Sequence, residues 1–255
     1  MDSISFDRAA EYYDRTRNLT PATMERVVEM LEGELRGRGP CLEIGIGTGR
    51  IGLPLAEGGI ELAGIDLSLE MLTVLKRKAP VDVPVAVADA TVLPFPRGVF
   101  GAALACHVLH LIPRWRDAVT ELVRVVRPGG LVLIDLGGWS GGVSESIEKR
   151  FVLEAGIENA RPGATDPAEL DAAFASCGGR LRLLPELTDT RTISYDEAIQ
   201  RMADGLYSFT WSADEDTRRR AADAVREWAR AELGPLDEPR ERTWTVRWRA
   251  YDLPG

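Results

Sequence analysis

Cys41-Leu-Glu-Ile-Gly-Ile-Gly-Thr-Gly-Arg50 decides how the rest of the chain is read. Cys41 to Ile44 reads as a short buried strand. Glycines follow at 45, 47 and 49, and Ile51, Leu53, Leu55 and Ala56 open an apolar helical pattern. A strand that ends in a glycine-rich turn and opens a helix brings bare backbone N–H groups close to a ligand. The helix N-terminus behind them favours negative charge and hydrogen-bond acceptors. The stretch therefore predicts a nucleotide-like ligand on its turn.

Working outward, residues 4–36 read as helical, with Phe6, Ala9, Ala10 and Tyr13 at helical spacing. Pro21 breaks the pattern, and Met24, Val27, Val28 and Leu31 resume it before Gly37, Gly39 and Pro40 end it. Downstream, strand and helix alternate. Strands are expected over 61–65, ending in Asp66, over 83–88, ending in Asp89, over 100–105, ending at Cys106-His107, and over 131–136. Between them lie a helix from Ser68 (a good N-cap) to Lys78, and another carrying Ala118, Leu122 and Val125 that stops at Arg127-Pro-Gly-Gly130. This alternation predicts an α/β fold, a doubly wound and mostly parallel sheet with helices on both faces.

The last third is less regular. Residues 144–156 and 167–176 read as helices, and 180–184, extending towards 193, as strand. Residues 195–204 and 213–233 are helical in pattern, the second with an apolar stripe of Ala221, Val225, Trp228 and Ala229. Arg218-Arg219-Arg220 on it reads as a solvated face. At the end, Trp244, Val246, Trp248 and Ala250 share one face of a half-buried strand over 243–251. The expected organisation is one domain. It has an N-terminal helical cap (1–39), a ligand-binding core (40–136), the remainder of the sheet (137–193 and 239–255), and a helical insertion between the last two strands (194–238).

The 255 residues carry a net charge of −9, which argues against a sequence-independent grip on nucleic-acid phosphates. No run of about 18 apolar residues predicts a membrane span. The opening residues lack the basic-then-apolar build of a signal peptide. Cys41, Cys106 and Cys177 are odd in number, with no Cys-x-x-Cys spacing; they predict reduced thiols and a cytoplasmic setting. No His, Cys or Asp cluster has ligand spacing along the chain, so no metal is expected.

Two ligand classes use this architecture. Gly47-Thr-Gly-Arg-Ile-Gly52 satisfies a dinucleotide frame, but Gly45 then occupies a position normally filled by a strand residue. The alternative frame is Glu43-x-Gly45-x-Gly47-x-Gly49, with the first glycine directly after the strand and an acid two residues before it. This resembles motif I of the class I S-adenosylmethionine (SAM)-dependent methyltransferases. Gly64-Ile-Asp66-Leu-Ser-Leu-Glu-Met-Leu72, Ala88-Asp89-Ala90-Thr-Val-Leu-Pro94-Phe95 and Arg124-Val-Val-Arg-Pro-Gly-Gly-Leu-Val-Leu-Ile134 resemble that family's next motifs, in order. Ala10-Glu-Tyr-Tyr13-Asp14 is similar to the cap of its small-molecule subgroup related to ubiquinone and menaquinone biosynthesis. The resemblance implies a seven-stranded Rossmann-like sheet and SAM as the cofactor.

It also implies roles. Asp66 would accept the ribose hydroxyls, Asp89 the adenine amino group, and the Ala90 N–H would donate to a ring nitrogen. Leu67 and Met71 would sandwich the adenine. Gly45, Gly47 and Gly49 would admit the methionine part, and Glu43 would orient that turn or meet its ammonium group. Tyr13 and Arg17 of the cap, and Cys106, complete the expected cofactor set. His110, ahead of His107, is the candidate general base, because histidine titrates near neutrality and both follow the fourth strand. Tyr12, Tyr207, Phe209 and Trp211 are candidate substrate contacts.

The expected partner is a small molecule, with no nucleic acid or membrane, and the chain is expected to act as a monomer or homodimer. An NAD(P)-dependent oxidoreductase and a non-catalytic nucleotide-binding module are the alternatives. The first needs a pyrophosphate site, and three carboxylates around the turn would repel one.

Overall fold

The computed structural model describes residues 3–17, 19–137, 142–158 and 160–255. Among them nine strands form: β1 Cys41–Ile44, β2 Leu62–Asp66, β3 Val85–Val87, β4 Phe100–Cys106, β5 Val126–Asp135, β6 Arg180–Leu183, β7 Leu187–Ile193, β8 Arg240–Val246 and β9 Arg249–Asp252. Seven make one sheet in the order β3-β2-β1-β4-β5-β9-β6, and β7 pairs with β8 in a second, two-stranded sheet. The five strands around β1 run parallel, and β9 is antiparallel to both β5 and β6. The seven-stranded, doubly wound expectation holds.

Alternate residues of the central strands go to opposite faces, as strand geometry requires. Cys41, Leu62, Leu104 and Leu133 pack with residues of helices α2 (Pro21–Leu35), α3 (Gly52–Glu57) and α4 (Leu69–Lys78), the short α1 (Tyr13–Arg17) coming before them. Leu42, Ile44, Ala103, Ala105, Val132 and Ile134 face the other way. They pack against α5 (Trp115–Val125) and, after α6 (Gly142–Glu154), against Leu170 and Phe174 of α7 (Pro167–Ser176). All four residues of β1 are buried, as in a central parallel strand, with Glu43 the one acidic side chain among them. Each fully buried leucine or isoleucine contributes about 1.5–3 kcal/mol.

The chain divides into two compact units. One comprises residues 1–137, 162–187 and 246–255; the other comprises 138–161 and 188–245. The first holds the seven-stranded sheet. The second packs α6, α8 (Tyr195–Ala203) and α9 (Glu215–Leu233) around Phe151, Ile199, Met202, Ala222, Val225 and Ala229.

Several element readings change. The strand expected over 243–251 is two strands in two sheets, separated at Arg247-Trp248: β8 pairs with β7 and β9 with β5 and β6. The strand expected from 180 towards 193 likewise breaks between β6 and β7. The helix expected over 144–156 belongs with α8 and α9 rather than with the sheet. The helix before Arg127-Pro-Gly-Gly130 stops as expected, but the strand expected from 131 begins earlier: these four residues lie inside β5, where pairing with β4 shifts register between Phe100 and Ala102. Arg218 is not part of a solvated face: it is buried and donates to the carbonyls of Ala203 and Ala213 at 3.1 and 2.6 Å, leaving Arg219 and Arg220 outside.

Candidate functional site

The C-terminal ends of β1 to β4 open onto a groove of about 630 Å³. Its rim is the glycine turn. Gly45 sits at φ +64°, and a Cβ there would meet Val108 Cγ2 at 2.4 Å. Gly47 sits at φ +56° and would press a Cβ to 3.0 Å from Met71 Cε. Both positions therefore require glycine for conformation and for space.

Asp66 stands where β2 ends. Its Oδ2 accepts the Gly47 N–H at 2.8 Å and its Oδ1 accepts the Ser68 N–H at 2.9 Å. Ser68 in turn caps α4, accepting the Met71 N–H at 3.0 Å. Burial raises the Asp66 carboxyl above its ordinary value, and the Ser68 and Gly47 N–H groups oppose that rise. Asp89, at the next strand end, is exposed; its Oδ1 accepts from the Thr91 N–H and hydroxyl at 2.8 and 2.9 Å. Leu67, Met71 and Ala90 complete this side of the groove.

Glu43 lies beneath the turn, 2% exposed, and one of its oxygens has no hydrogen-bond partner. Burial pushes its carboxyl up to about 8, although Arg50 pulls it the other way. At neutral pH it is thus chiefly a protonated acid under the turn rather than a charge in the groove. Arg50, the last residue of the opening stretch, donates to Cys106 Sγ at 3.1 Å and has Tyr13, Asp135 and Glu43 as its other charged or titratable neighbours. A fixed cation thus braces the floor.

The cap reaches over the same edge. Thr48 donates its hydroxyl to Asp14 Oδ1 at 2.6 Å, Ile4 N–H donates to the Leu111 carbonyl at 3.3 Å, and the rings of Phe6 and Tyr13 meet edge-on at 5.8 Å. Ile4, Phe6 and Tyr13 line the groove together with Val108, Leu111 and Ile112.

Of the sequence-derived set, Tyr13, Gly45, Gly47, Asp66, Leu67, Met71, Asp89, Ala90, Cys106 and His107 line this one groove. Gly49 supports the turn from behind, a Cβ there meeting Leu53 at 2.6 Å. Tyr12 sits beside Tyr13 on the cap but is not among the lining residues, and the side chain of Arg17 lies outside the described residues. His110 is in a 3-10 turn, Leu109–Leu111, whose backbone accepts the Gly163 N–H at 2.9 Å, and it too is not a lining residue. Of the two histidines, the groove takes His107. In the second unit Phe209 is buried, Tyr207 stacks on it at 5.7 Å, and Trp211 Nε1 donates to the Gly205 carbonyl at 2.8 Å.

Asp135, Arg50 and the wall of Ile4, Phe6 and Val108 were not anticipated as site residues. Asp135 closes β5 as Asp66 closes β2 and as Asp89 follows β3, so the same strand-end rule would have found it. It also brings Cys106, His107 and Asp135 together, with one potential donor atom from each within 4.8 Å of the others, a grouping that spacing along the chain did not show. Burial raises the Cys106 thiol above its ordinary value, and the Arg50 guanidinium donates to its sulfur.

The groove fits a nucleoside with a cationic tail. A carboxylate fixed by two backbone donors faces it at one strand end, a second stands at the next, and close backbone approach is possible only at the glycines. A pyrophosphate would meet those carboxylates unfavourably.

Comparison with known proteins gives the same direction. A family profile described as "Methyltransferase domain" matches residues 42–134. A demethylmenaquinone methyltransferase of Renibacterium salmoninarum is 29% identical over 167 residues, covering 64% of this chain and 70% of that one. Another, of Streptomyces avermitilis, is 35% identical over 132 residues, covering 51% of this chain and 57% of that one. The chain thus spans only part of the length of the curated relatives it matches. Among solved structures, a Haemonchus contortus phosphoethanolamine N-methyltransferase in complex with S-adenosyl-L-methionine superposes with a TM-score of 0.56 at 18% identity, over 98% of this chain and 57% of that one.

Proposed function

We propose, for a chain that belongs to the class I SAM-dependent methyltransferases, that it methylates a small molecule at the groove formed by the ends of β1 to β4. The observation that carries this is Asp66, held by the N–H groups of Gly47 and Ser68 at the mouth of a groove whose next strand end is Asp89. Asp66 receives the ribose hydroxyls. Asp89 and the Ala90 N–H receive the adenine edge, with Leu67 and Met71 on its faces. When bound, SAM supplies a methyl group already activated on a sulfonium. The chain then has to align the acceptor and keep water out, and alignment alone is a large part of such catalysis.

Gly45 and Gly47 give the methionine part its approach, and the Arg50–Cys106 pair and Tyr13 close the floor and roof. The apolar wall of Ile4, Phe6, Val108, Leu111 and Ile112 favours an acceptor with an apolar body. Tyr12 on the cap, and Tyr207, Phe209 and Trp211 in the second unit, are proposed to set substrate selectivity. Phe209 does so indirectly, from within that unit's core.

A cytoplasmic setting, a small-molecule partner and a monomer or homodimer complete the proposal. The acidic net charge of −9 and the unpaired cysteines support it, and no helix among the described residues is long and apolar enough to cross a membrane. Thermal denaturation with added ligands tests the reading. SAM and S-adenosylhomocysteine should raise the unfolding temperature while NAD+ and NADP+ leave it unchanged. A response to the dinucleotides alone would reverse the assignment.

A further inference from the structure

The same sheet edge holds an arrangement that cofactor binding does not require. His107 directly follows β4, Asp135 closes β5, and Cys106 stands opposite Asp135 in the ladder. The His107 N–H donates to the Asp135 carbonyl at 2.8 Å, and its ring Nε2 lies 3.1 Å from Asp135 Oδ2. Asp135 Oδ1 accepts the Gly137 N–H at 2.9 Å. Both carboxylate oxygens of a residue only 6% exposed are therefore fixed. Burial by itself would raise this carboxyl, but the charge and hydrogen bond of His107, the Gly137 N–H and the charge of Arg50 outweigh it and hold it below its ordinary value.

His107 has φ +54°, the one positive value at a non-glycine residue among the described residues. That conformation costs on the order of 1–2 kcal/mol and persists only where the surroundings over-determine it. Here they do: backbone and ring are both tied to Asp135, and Gly137, whose absent Cβ would lie 3.1 Å from His107 Cδ2, makes room for the ring. With Nε2 engaged, Nδ1 is the free ring nitrogen. It has no hydrogen-bond partner and is not buried, and His107 lines the groove.

We propose that His107 Nδ1 takes the proton of the methyl acceptor, and that Asp135 is the positioning residue that presents it. This rests on the methyltransferase reading and narrows its substrate to acceptors that must lose a proton to become nucleophilic, a phenolic or enolic hydroxyl or a thiol, rather than neutral amines. The acceptor's O–H or S–H bond gives its proton to Nδ1. An electron pair of that oxygen or sulfur, or of the enol carbon, forms the bond to the methyl carbon. The sulfur–methyl pair stays on the SAM sulfur as a neutral thioether, and the imidazolium, stabilised by Asp135, later returns its proton to water. Arg50 faces Asp135 from the glycine turn, with Glu43 and Tyr13 around it, and Cys106 keeps its proton through burial, so no neighbouring thiolate competes for the transferred one.

Nitrogen-15 NMR of the full chain, saturated with S-adenosylhomocysteine, reads the tautomer directly. Neutral His107 should carry its proton on Nε2 in the wild type, and Asp135→Ala should turn it into a mixture. Asp135→Asn, whose single oxygen stays with the Gly137 N–H and whose NH2 then donates to Nε2, should shift it to the Nδ1–H form. A wild-type Nδ1–H tautomer, or a tautomer that Asp135→Ala does not move, would overturn the proposal, and this arm decides even where no acceptor is turned over. In parallel, methyl transfer from SAM to phenols, enols, amines and thiols should favour the hydroxyl and thiol compounds and fall about 10²–10⁴-fold in His107→Gln. Transfer confined to amines, unchanged in that variant, would also overturn it. Calorimetry of S-adenosylhomocysteine with the wild type separates the two levels: no binding would sink the methyltransferase reading, whatever the tautomer.

Discussion

In the first unit a set of ionisable side chains, Glu43 and Asp135 buried and Asp66 and Arg50 half-buried, stands at strand ends or under the turn that joins them. Glu43, Asp66, Asp135 and Arg50 lie within one run of contacts beneath and along a groove. In the second unit such side chains sit among helices and a two-stranded sheet. Arg218 donates to the Ala203 and Ala213 carbonyls, and Arg242 lies against the Tyr195 ring at 5.5 Å with its Nε and Nη2 buried and without partners. The first pattern concentrates polar groups where a ligand can use them, whereas the second spends them on packing. The difference teaches that burial of a charge does not itself mark a site: its place at the end of a strand does.

The comparison breaks most easily at Gly45. Gly45→Val would put a β-branched residue at φ +64° and drive it into Val108, so both stability and cofactor binding should suffer. The expected loss is about 2–5 kcal/mol in denaturant unfolding, with SAM affinity lost in calorimetry. A variant that folds and binds normally would show that the turn has room to spare.

Glu43 offers a pH test. Its carboxyl is raised from 4.5 to about 8, so the folded state holds the proton more tightly than the unfolded chain. Wild-type stability from this group is therefore full below about 4.5 and is lost as pH rises through about 8. Glu43→Gln escapes that loss. Its stability relative to wild type should rise steadily between those pH values, by at most a few kcal/mol, in paired thermal melts. A difference flat in pH would show that Glu43 is ionised throughout.

How far the chain was legible follows the same division. The glycine turn, Asp66, Asp89 and the Ser68 cap were readable because each is a local signal, a strand followed at once by a turn or a helix start. Asp135 was missed because the strand was expected to run to 136, so the strand-end rule was not applied to it, and its tie to His107, 28 residues away, is made only by the pairing of β4 with β5. The alternation of Trp244, Val246, Trp248 and Ala250 continues unbroken through Arg247, so nothing local announced that the chain changes sheets there. The helix over 142–154 has an ordinary pattern, and its allegiance to α8 and α9 is a matter of tertiary packing. Chain order alone could not say which of His107 and His110 lines the groove, because that depends on which side of a short turn each takes.

The smallest expected effect is in the second unit. Arg242→Met removes a guanidinium whose buried N–H groups have no partner and whose pKa burial lowers, while keeping most of its apolar contact. Stability should change by less than about 1 kcal/mol or increase, with SAM binding unaltered. A loss of several kcal/mol would mean that this arginine is held by partners as the carboxylates of the first unit are.

The central claim is that the carboxylate at the end of β2 holds the cofactor. Calorimetric titration of SAM into the wild type and Asp66→Ala tests it most directly. The account predicts one site per chain in the wild type and affinity at least about 100-fold weaker in the variant, the scale of losing charge-assisted hydrogen bonds to two hydroxyls. Equal affinity in the two proteins would contradict it.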